Sequence, residues 1–422
     1  MKNSKKSFFL LTLLMISVFL PFFYQDYNGK LLNNGNIKLS SVDGVSNYEI
    51  VQSVTYEVEV NFTLTHNSFG GPGENGQYWF QFSRFDDRQP TESLTQFVPP
   101  YQESELVFSK ITGASDIPYT LQDRFNNTYD IFNNTLAPTE SITLSQKYHL
   151  KLNEISFTNA NMSEIGVYDT SDEMFDLYCN NSETYYEKDD PNINATSFSI
   201  VNLGDNPITK ATKICNWVSD YLTYDDTLPA QEMGASWALN NSRGDCSEYS
   251  SLMITLLRCQ GIPARKVTGF VISTDSSLRP YVGQQWNYYL NDQEVSTFLG
   301  HAWVEYYVPN IGWIACDPTW NSDGDYTNKV DYLRINLNVG AWFSIPKITY
   351  DESEFPHPCI VYQELSDKSY RYSLKVTVLN TNLLPDYVLI WVIIISSVAG
   401  VIIIVTLIIA SKRRKKRVKW TY

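Results

Sequence analysis

The first long regular pattern in the chain alternates apolar and polar residues. Over residues 51–64, apolar side chains occupy every second position, namely Val54, Tyr56, Val58, Val60, Phe62 and Leu64. A period of two places these side chains on one face of a β-strand. Shorter alternating stretches follow at 78–82, 106–110 and 142–152, separated by turn-rich segments. The pattern predicts an antiparallel, sandwich-like β domain over residues 45–158.

After a polar and broken connecting region at 159–204, the spacing of apolar residues changes to that of a helix. Asp205 or Asn206 can cap this helix, and Pro207 suits its first turn, where a proline leaves no N–H unsatisfied. Apolar residues then recur every three or four positions. They form one face that consists of Ile208, Ala211, Ile214, Cys215, Val218, Tyr221 and Leu222.

A second helix is predicted to begin at Cys246. Asp245 can serve as its N-cap, and Glu248 lies where the second residue of a capping box belongs. Gly261 and Pro263 then end the helix, whose apolar face consists of Tyr249, Leu252, Met253, Leu256 and Leu257. Cys246 thus lies in the first turn, where free N–H groups and the helix dipole favour a thiolate.

Both ends of the chain carry membrane signals. A short basic start precedes an apolar run at 8–23, which predicts a signal peptide or a signal anchor over residues 1–28. Residues 388–410 contain no charge and would span about 35 Å as a helix, against a hydrocarbon core of about 30 Å. The basic tail at 411–422 belongs in the cytoplasm by the positive-inside rule. We therefore predict a single-pass or two-pass cell-membrane protein with an extracytoplasmic central region.

The charge of the chain bears on its partners. The net charge is −14 although both ends are basic, so the region between them is strongly acidic. An acidic surface argues against a nucleic-acid partner. Sequons for N-glycosylation lie only in the region assigned outside, as expected of an extracellular glycoprotein. They begin at Asn61, Asn126, Asn133, Asn161, Asn180, Asn194 and Asn240.

Cys246 stands out among the cysteines. A lone cysteine is usually a small buried apolar residue, and Cys215 and Cys259 fit that interpretation because both lie in apolar helical patterns. Cys246 differs, since it begins a helix beside a glycine and a carboxylate. Its position is that of an activated nucleophile.

A histidine and an aspartate are predicted to face each other across one hairpin. His301 opens an alternating strand, and the chain turns at 309–312 and returns to Asp317. If the turn contains an odd number of residues, the two side chains point the same way. Asp317 could then hold one imidazole nitrogen while the other takes the thiol proton. The alternatives are a surface histidine and a simple turn signal at 317–319.

These residues lie in three blocks that resemble the transglutaminase-like superfamily. The nucleophile block is Gly244-Asp245-Cys246-Ser247-Glu248-Tyr249, which continues to Gly261-Ile262-Pro263-Ala264-Arg265. The histidine block is His301-Ala302-Trp303-Val304-Glu305. The aspartate block runs from Gly312-Trp313 to Asp317-Pro318-Thr319. The blocks occur in the family's order and cover roughly residues 205–335.

The resemblance implies an α+β fold with a papain-like transglutaminase core, in which a helix bearing the cysteine packs on an antiparallel sheet. It also implies the roles: Cys246 as nucleophile, His301 as base, Asp317 as the residue that orients His301, and Trp237 as an oxyanion donor. For Trp237 a plain packing role is the equal alternative. In the β domain, residues 122–127 are similar to an Asp-x-x-Gly-Asn turn of microbial members, with Asn126 replacing the glycine.

The resemblance implies acyl transfer at a carboxamide or peptide bond of a protein or peptide substrate at the cell surface. Hydrolysis by a cysteine peptidase or amidase with the same triad is the alternative within enzymes. A non-catalytic surface scaffold that keeps the fold is the alternative outside them. No phosphate-binding loop or metal cluster is evident, so we predict no cofactor and no metal. For the acidic loop with Asp323, Asp325 and Asp331, solvation is preferred over calcium binding.

The predicted organisation combines these elements. A signal peptide or signal anchor (1–28) is followed by the all-β sandwich-like domain (45–158), the connecting region (159–204) and the transglutaminase-like catalytic domain (205–335). A C-terminal β extension (336–386) leads to the transmembrane helix (388–410) and the cytoplasmic tail (411–422).

Overall fold

The structure is a computed structural model. It describes residues 48–383 and 403–409, apart from 68–74, 88–96, 115–118, 124, 158–161, 230–231, 292–296, 298, 322–325, 341–358 and 363–367. Within these ranges no helix is long and apolar enough to cross a membrane. The predicted span at 388–410 lies outside them except for 403–409, which are helical. The predicted signal segment and basic tail also lie outside the described residues.

The N-terminal part forms β-strands, as the alternation predicts. Val54, Tyr56, Val58 and Leu64 are fully buried on one face of the first strand. They pack against aromatic residues of a second sheet, where the Phe80 and Phe132 rings stack at 4.6 Å. The strands are β1 (Glu49–His66), β2 (Gly76–Ser83), β3 (Gln102–Thr112), β4 (Tyr119–Gln122), β5 (Thr128–Leu136) and β6 (Ser141–Ser156).

Strands from distant parts of the chain complete the two sheets of this sandwich. They are β10 (Gln285–Asn291), β14 (Cys359–Tyr362) and β15 (Lys368–Asn382). The five-stranded sheet has the order β10-β15-β1-β6-β3, and the four-stranded sheet has the order β14-β2-β5-β4. β1 pairs antiparallel with β15 from Ser53↔Asn382 to His66↔Lys368. The strands of the predicted C-terminal extension therefore belong to the N-terminal sandwich.

Apart from residues 403–409, the described α-helices occupy the middle of the chain. They are α1 (Glu173–Tyr178), α2 (Pro191–Ile200), α3 (Pro207–Tyr221), α4 (Ala235–Asn241) and α5 (Cys246–Cys259). Asn206 caps α3 by accepting the N–H of Thr209 at 2.9 Å. The predicted apolar face of α3 is buried except for Tyr221, which is partly buried. α1 and α2 lie in the segment predicted to be a connecting region, and Phe175, Tyr178 and Ile193 from them belong to the same apolar core as α5.

α5 packs on an antiparallel sheet of four strands with the order β12-β11-β9-β13. These strands are β9 (Ala264–Val271), β11 (Gly300–Val308), β12 (Gly312–Cys316) and β13 (Arg334–Gly340). A short parallel pair, β7 (Thr223–Tyr224) and β8 (Arg243–Gly244), lies just before α5. Every residue of α5 from Cys246 to Arg258 is buried, so the helix is held by packing around its whole circumference.

The turn at 122–127 joins the sandwich to this sheet. The Asp123 carboxylate accepts the N–H groups of Phe125 and Asn127 at 2.8 and 2.9 Å. Asn126 has φ 67°, a left-handed conformation that favours glycine and that asparagine also adopts. The Asn127 amide binds the carbonyl of Val339 at 2.6 Å and the N–H of Val339 at 2.8 Å. The turn therefore clamps β13.

Candidate active site

Local interactions fix the start of α5. The Asp245 carboxylate accepts the N–H of Ser247 at 2.7 Å, and the Glu248 carboxylate accepts the N–H of Asp245 at 3.1 Å. The predicted capping box is therefore confirmed. Gly244 precedes it because a Cβ there would lie only 2.3 Å from the Cβ of Glu248. These contacts hold the Cys246 sulfur in the first turn of a rigid helix.

The Cys246 side chain is 8% exposed and lies against β11. The backbone N–H of Ala302, the residue after His301, donates a hydrogen bond to its sulfur. Burial and then the negative charge of Asp245 raise the pKa of Cys246 to about 12. Burial therefore opposes the thiolate that the helix start is predicted to favour, because it removes the charged form from water.

His301 and Asp317 meet across the hairpin because its turn has an odd number of residues. Val308 pairs with Gly312, so an odd number of residues, 309–311, forms the turn. The two side chains then point to one side of the sheet, and His301 Nε2 lies 2.7 Å from Asp317 Oδ2. Burial alone raises the pKa of Asp317, but the charges of His301 and Arg334 outweigh it and lower the pKa to about 2. Because Asp317 is ionised and accepts only, Nε2 carries the proton.

Two tryptophan rings hold the imidazole in place. The Trp303 ring is stacked 5.9 Å from His301, and the Trp320 ring lies 5.6 Å away on a tilt. His301 is only 4% exposed. With Nε2 bound to Asp317, Nδ1 is the imidazole nitrogen that remains for exchange of a proton. The arrangement can therefore remove a proton from a thiol and return it to a leaving group.

Arg334 is a partner of Asp317 that the sequence reasoning missed. Its Nε and Nη2 donate to Asp317 Oδ2 at 3.0 and 2.8 Å, and its side chain is 0% exposed. Its Nη1 lies 2.7 Å from Asp331 Oδ2. A lone arginine within the apolar stretch Tyr332-Leu333-Arg334-Ile335 was the available signal, because a buried guanidinium requires a buried carboxylate.

The acidic loop is only partly described. Asp323 and Asp325 lie outside the described residues. Asp331 is 8% exposed, pairs with Arg334 and accepts the Tyr326 hydroxyl at 2.7 Å. The expectation that Asp331 belongs to a solvated loop is therefore wrong. The guanidinium of Arg334, rather than water, compensates the free-energy cost of burying the Asp331 charge.

A second buried ion pair lies beneath α5 and was also missed. Lys266 Nζ lies 2.6 Å from Glu232 and 3.0 Å from the Ser251 hydroxyl, which itself donates to Glu232. Burial lowers the pKa of Lys266, but the charge of Glu232, the Tyr186 hydroxyl and the hydrogen bond to Glu232 together more than offset this and raise it. The Lys266 ammonium also acts on the Cys246 thiol, where it favours the thiolate.

Trp237 lies on α4, and its ring packs against the guanidinium of Arg243 with 5.6 Å between Cζ and the ring centroid. Arg243 in turn binds the Asp225 carboxylate at 2.8 Å. The oxyanion role of Trp237 stays a prediction.

Glu248 also accepts the N–H of Met233 at 2.8 Å, so α5 fixes the segment that leads into α4.

We expect the free energy of unfolding to fall at low pH because of Asp317. Its pKa is about 2 in the folded protein against a usual value of 3.8. Its stabilisation is therefore complete above about pH 4 and is lost as the pH falls through about 2, by roughly 2–3 kcal/mol. Urea unfolding of Asp317→Asn should show a shallower fall over that window than the parent protein. Equal slopes would show that Asp317 does not bind its partners more tightly when ionised.

The part of the chain that holds this site is similar to known proteins. Residues 194–318, which include Cys246, His301 and Asp317, match the sequence model of the transglutaminase-like superfamily. Over 77 residues the chain is 40% identical to the protein-glutamine gamma-glutamyltransferase of Pseudomonas aeruginosa, covering 18% of this chain and 10% of that protein. Over 101 residues it is 33% identical to YebA of Bacillus subtilis, covering 24% of this chain and 13% of that protein.

A solved structure from Cytophaga hutchinsonii, described as a candidate cysteine protease, shares the fold. It superimposes with a TM-score of 0.50 at 12% identity and covers 80% of this chain and 95% of that one. The α+β core with its cysteine-bearing helix on an antiparallel sheet is thus of the papain-like class. The chain contains a domain of the transglutaminase-like superfamily. It spans only about a tenth of the length of the curated relatives above.

Proposed function

We propose that this protein is a thiol enzyme that transfers or hydrolyses acyl groups at carboxamide or peptide bonds, with Cys246 as nucleophile, His301 as general base and Asp317 as the residue that orients His301. The observation that carries the proposal is the pair of contacts at the start of β11. His301 Nε2 is held on Asp317 at 2.7 Å, and the next residue, Ala302, donates to the Cys246 sulfur.

The geometry supports a general-base mechanism. As the sulfur attacks the carbonyl carbon, its proton passes to His301 Nδ1, and Asp317 stabilises the resulting imidazolium. The oxyanion can accept from the N–H of Cys246 at the helix start, with Trp237 as a second candidate donor. Collapse of the intermediate expels an amine or ammonia, which takes the proton from His301. The product of this step is a thioester on Cys246.

An acyl acceptor then resolves the thioester. His301 removes a proton from an amine or from water, and the attack breaks the carbon–sulfur bond and returns the proton to the Cys246 sulfur. An amine yields transfer, and water yields hydrolysis. The acceptor is therefore what separates a transglutaminase from an amidase or peptidase.

A test uses the full-length chain purified in detergent. It is incubated with a glutamine-containing peptide, with and without a primary amine, and the products are weighed by mass spectrometry. Incorporation of the amine supports transfer, whereas deamidation or cleavage supports hydrolysis. The His301→Ala variant is the control and should form neither product. No product with a panel of such peptides would favour the non-catalytic scaffold.

A location at the cell surface is part of the proposal. It is supported by the uncharged stretch at 388–410 and the basic residues after it. Glycan attachment requires an exposed asparagine, and the described sequons are compatible with it. Asn133 is partly buried, and the exposed sequon residues are Asn61, Asn126, Asn180, Asn194 and Asn240.

A further inference from the structure

A short turn between β9 and β10 carries exposed apolar side chains. The N–H of Gln284 closes the turn by donating to the carbonyl of Tyr281 at 3.0 Å. Gly283 has φ 87°, and a Cβ at this position would meet nothing within 4 Å. The turn therefore projects into open space. The side chains of Tyr281 and Val282 are 67% and 62% exposed there, which is unusual for large apolar residues that lie side by side.

This turn is fixed to the last part of β15 by the backbone. The N–H of Gly283 donates to the carbonyl of Val378 at 2.9 Å, and the N–H of Val378 donates to the carbonyl of Gln284 at 2.9 Å. Leu379, the next residue of β15, is 39% exposed. Leu379 and the two exposed side chains of the turn together form what we call the apolar tip.

The chain leaves the sandwich beside the apolar tip. β10 and β15 are antiparallel with Gln285 opposite Thr377, so the residues before Gln285 lie along the last residues of β15. Leu383 follows β15 and packs against the apolar core of the sandwich. Only residues 384–387 separate Leu383 from the predicted membrane span at 388–410. A fully extended chain covers this separation with at most about 18 Å, so the tip is tethered close to the predicted span.

The catalytic domain lies at the same end of the sandwich. β1 and β15 are antiparallel with Ser53 opposite Asn382, so the start of β1 lies beside the end of β15. Tyr48 and Ile50, at the start of β1, pack against the apolar core that contains α5. β9, which pairs with β11, leads through residues 272–280 into the turn. A bilayer at this end of the sandwich therefore lies on the side of the catalytic domain.

The charge pattern around the tip suits a bilayer surface. The chain has a net charge of −14, yet residues 276–291 contain no carboxylate and a single cation, Arg279. Residues 376–385 contain no charged side chain. Tyrosine and apolar side chains are favoured at the interface of a bilayer, whereas charged side chains become costly as they enter it. A lipid surface is thus the partner that both the tether and the charge pattern favour.

We propose that the apolar tip, Tyr281, Val282 and Leu379, rests in the interfacial region of the bilayer and holds the catalytic domain against the membrane. The tip is a second membrane contact beside the predicted span, so the extracytoplasmic part does not turn freely on residues 384–387. The active site then works close to the bilayer surface. This inference rests on the cell-surface location that is part of the proposed function.

The test is photo-crosslinking of the full-length chain in vesicles of phosphatidylcholine and phosphatidylglycerol. In Val282→p-benzoylphenylalanine, irradiation should yield a peptide that is heavier by the mass of one phospholipid, as measured by mass spectrometry. The matched control is Val107→p-benzoylphenylalanine. Val107 is 46% exposed on β3, which lies at the opposite edge of the five-stranded sheet from β10. It should give no lipid adduct above the background of an unirradiated sample.

A charge placed on the tip provides a second measurement. Tyr281→Asp should lower the yield of lipid adduct at position 282 severalfold, because a carboxylate resists entry into the interface. Phe108→Asp, on β3, should leave that yield unchanged. Equal yields with and without Tyr281→Asp would show that the tip does not enter the interface. A crosslink from position 282 to a second copy of the chain, in place of lipid, would assign the tip to a protein interface and overturn the proposal.

A probe inside the predicted span separates this inference from the location on which it rests. Val398→p-benzoylphenylalanine should form lipid adducts whenever 388–410 lies in the bilayer. Adducts at position 398 but not at position 282 overturn the role of the tip and keep the location. Adducts at neither position remove the location as well. Neither result depends on the reaction at Cys246, since the crosslinking requires no substrate.

Discussion

Replacement of Cys246 by alanine should reduce product formation by roughly 10⁴-fold or more, since loss of the nucleophile removes the covalent route and leaves only binding and oxyanion contacts. His301→Ala should cost a similar factor, because the thiol pKa of about 12 leaves little thiolate without a base. The two losses should not add in the double variant, because both residues serve the same step. The measurement is the initial rate of thioester-dependent product formation.

Cys259→Ala is the matched control. Cys259 ends the same helix and is more exposed than Cys246, and burial likewise raises its pKa, to about 11. Its sulfur lies 3.4 Å from the carbonyl of Lys188. Cys259→Ala should therefore keep the parent rate. Retained product formation in Cys246→Ala would remove the sulfur from the mechanism.

The Lys266→Met variant should lose about 3–5 kcal/mol of unfolding free energy. It removes one partner of an ion pair whose side chains are each 7% exposed, and it leaves the Glu232 charge buried without its cation. The Ser251 hydroxyl would remain as a partner of Glu232 but carries no charge. Urea unfolding, followed by fluorescence and circular dichroism together, gives the difference.

The double variant Lys266→Met/Glu232→Gln separates charge from packing. It removes both charges, so most of the loss should be recovered. Lys151→Met supplies the surface comparison: its 2.7 Å pair with Glu103 is 39% and 32% exposed, and its removal should cost at most about 1 kcal/mol. A Lys266→Met variant as stable as the parent would mean that water or a rearranged side chain neutralises Glu232.

The sequence predicts structure best where the interactions are between residues close in the chain. The start of α5 depends on residues within one turn, so the capping box at Asp245 and Glu248 could be predicted and was found. The burial of alternate residues in β1 follows from a period of two. The sequence left the parity of the hairpin turn open, and the three-residue turn in the structure makes His301 and Asp317 point the same way.

The sequence did not predict which strands pair when they lie far apart in the chain. The antiparallel pairing of β1 with β15 joins residues that are more than 300 positions apart, as the Asn61–Ser373 contact shows with a separation of 312. Alternation shows which face of a strand is buried, but it does not show which strand lies beside it. Any strand with a compatible apolar face can pair with it. The separate C-terminal extension was predicted for that reason, whereas β14 and β15 complete the sandwich.

By itself, then, the sequence determined the buried face of β1, the capped helix α3 and the helix that begins at Cys246. The tertiary structure decided the electrostatic surroundings of the site. Burial and Asp245 raise the pKa of Cys246, and Arg334 reaches Asp317 from a different strand. The reason is physical: desolvation and Coulomb energies depend on distances across the fold, whereas caps and periodicity depend on neighbours in the chain.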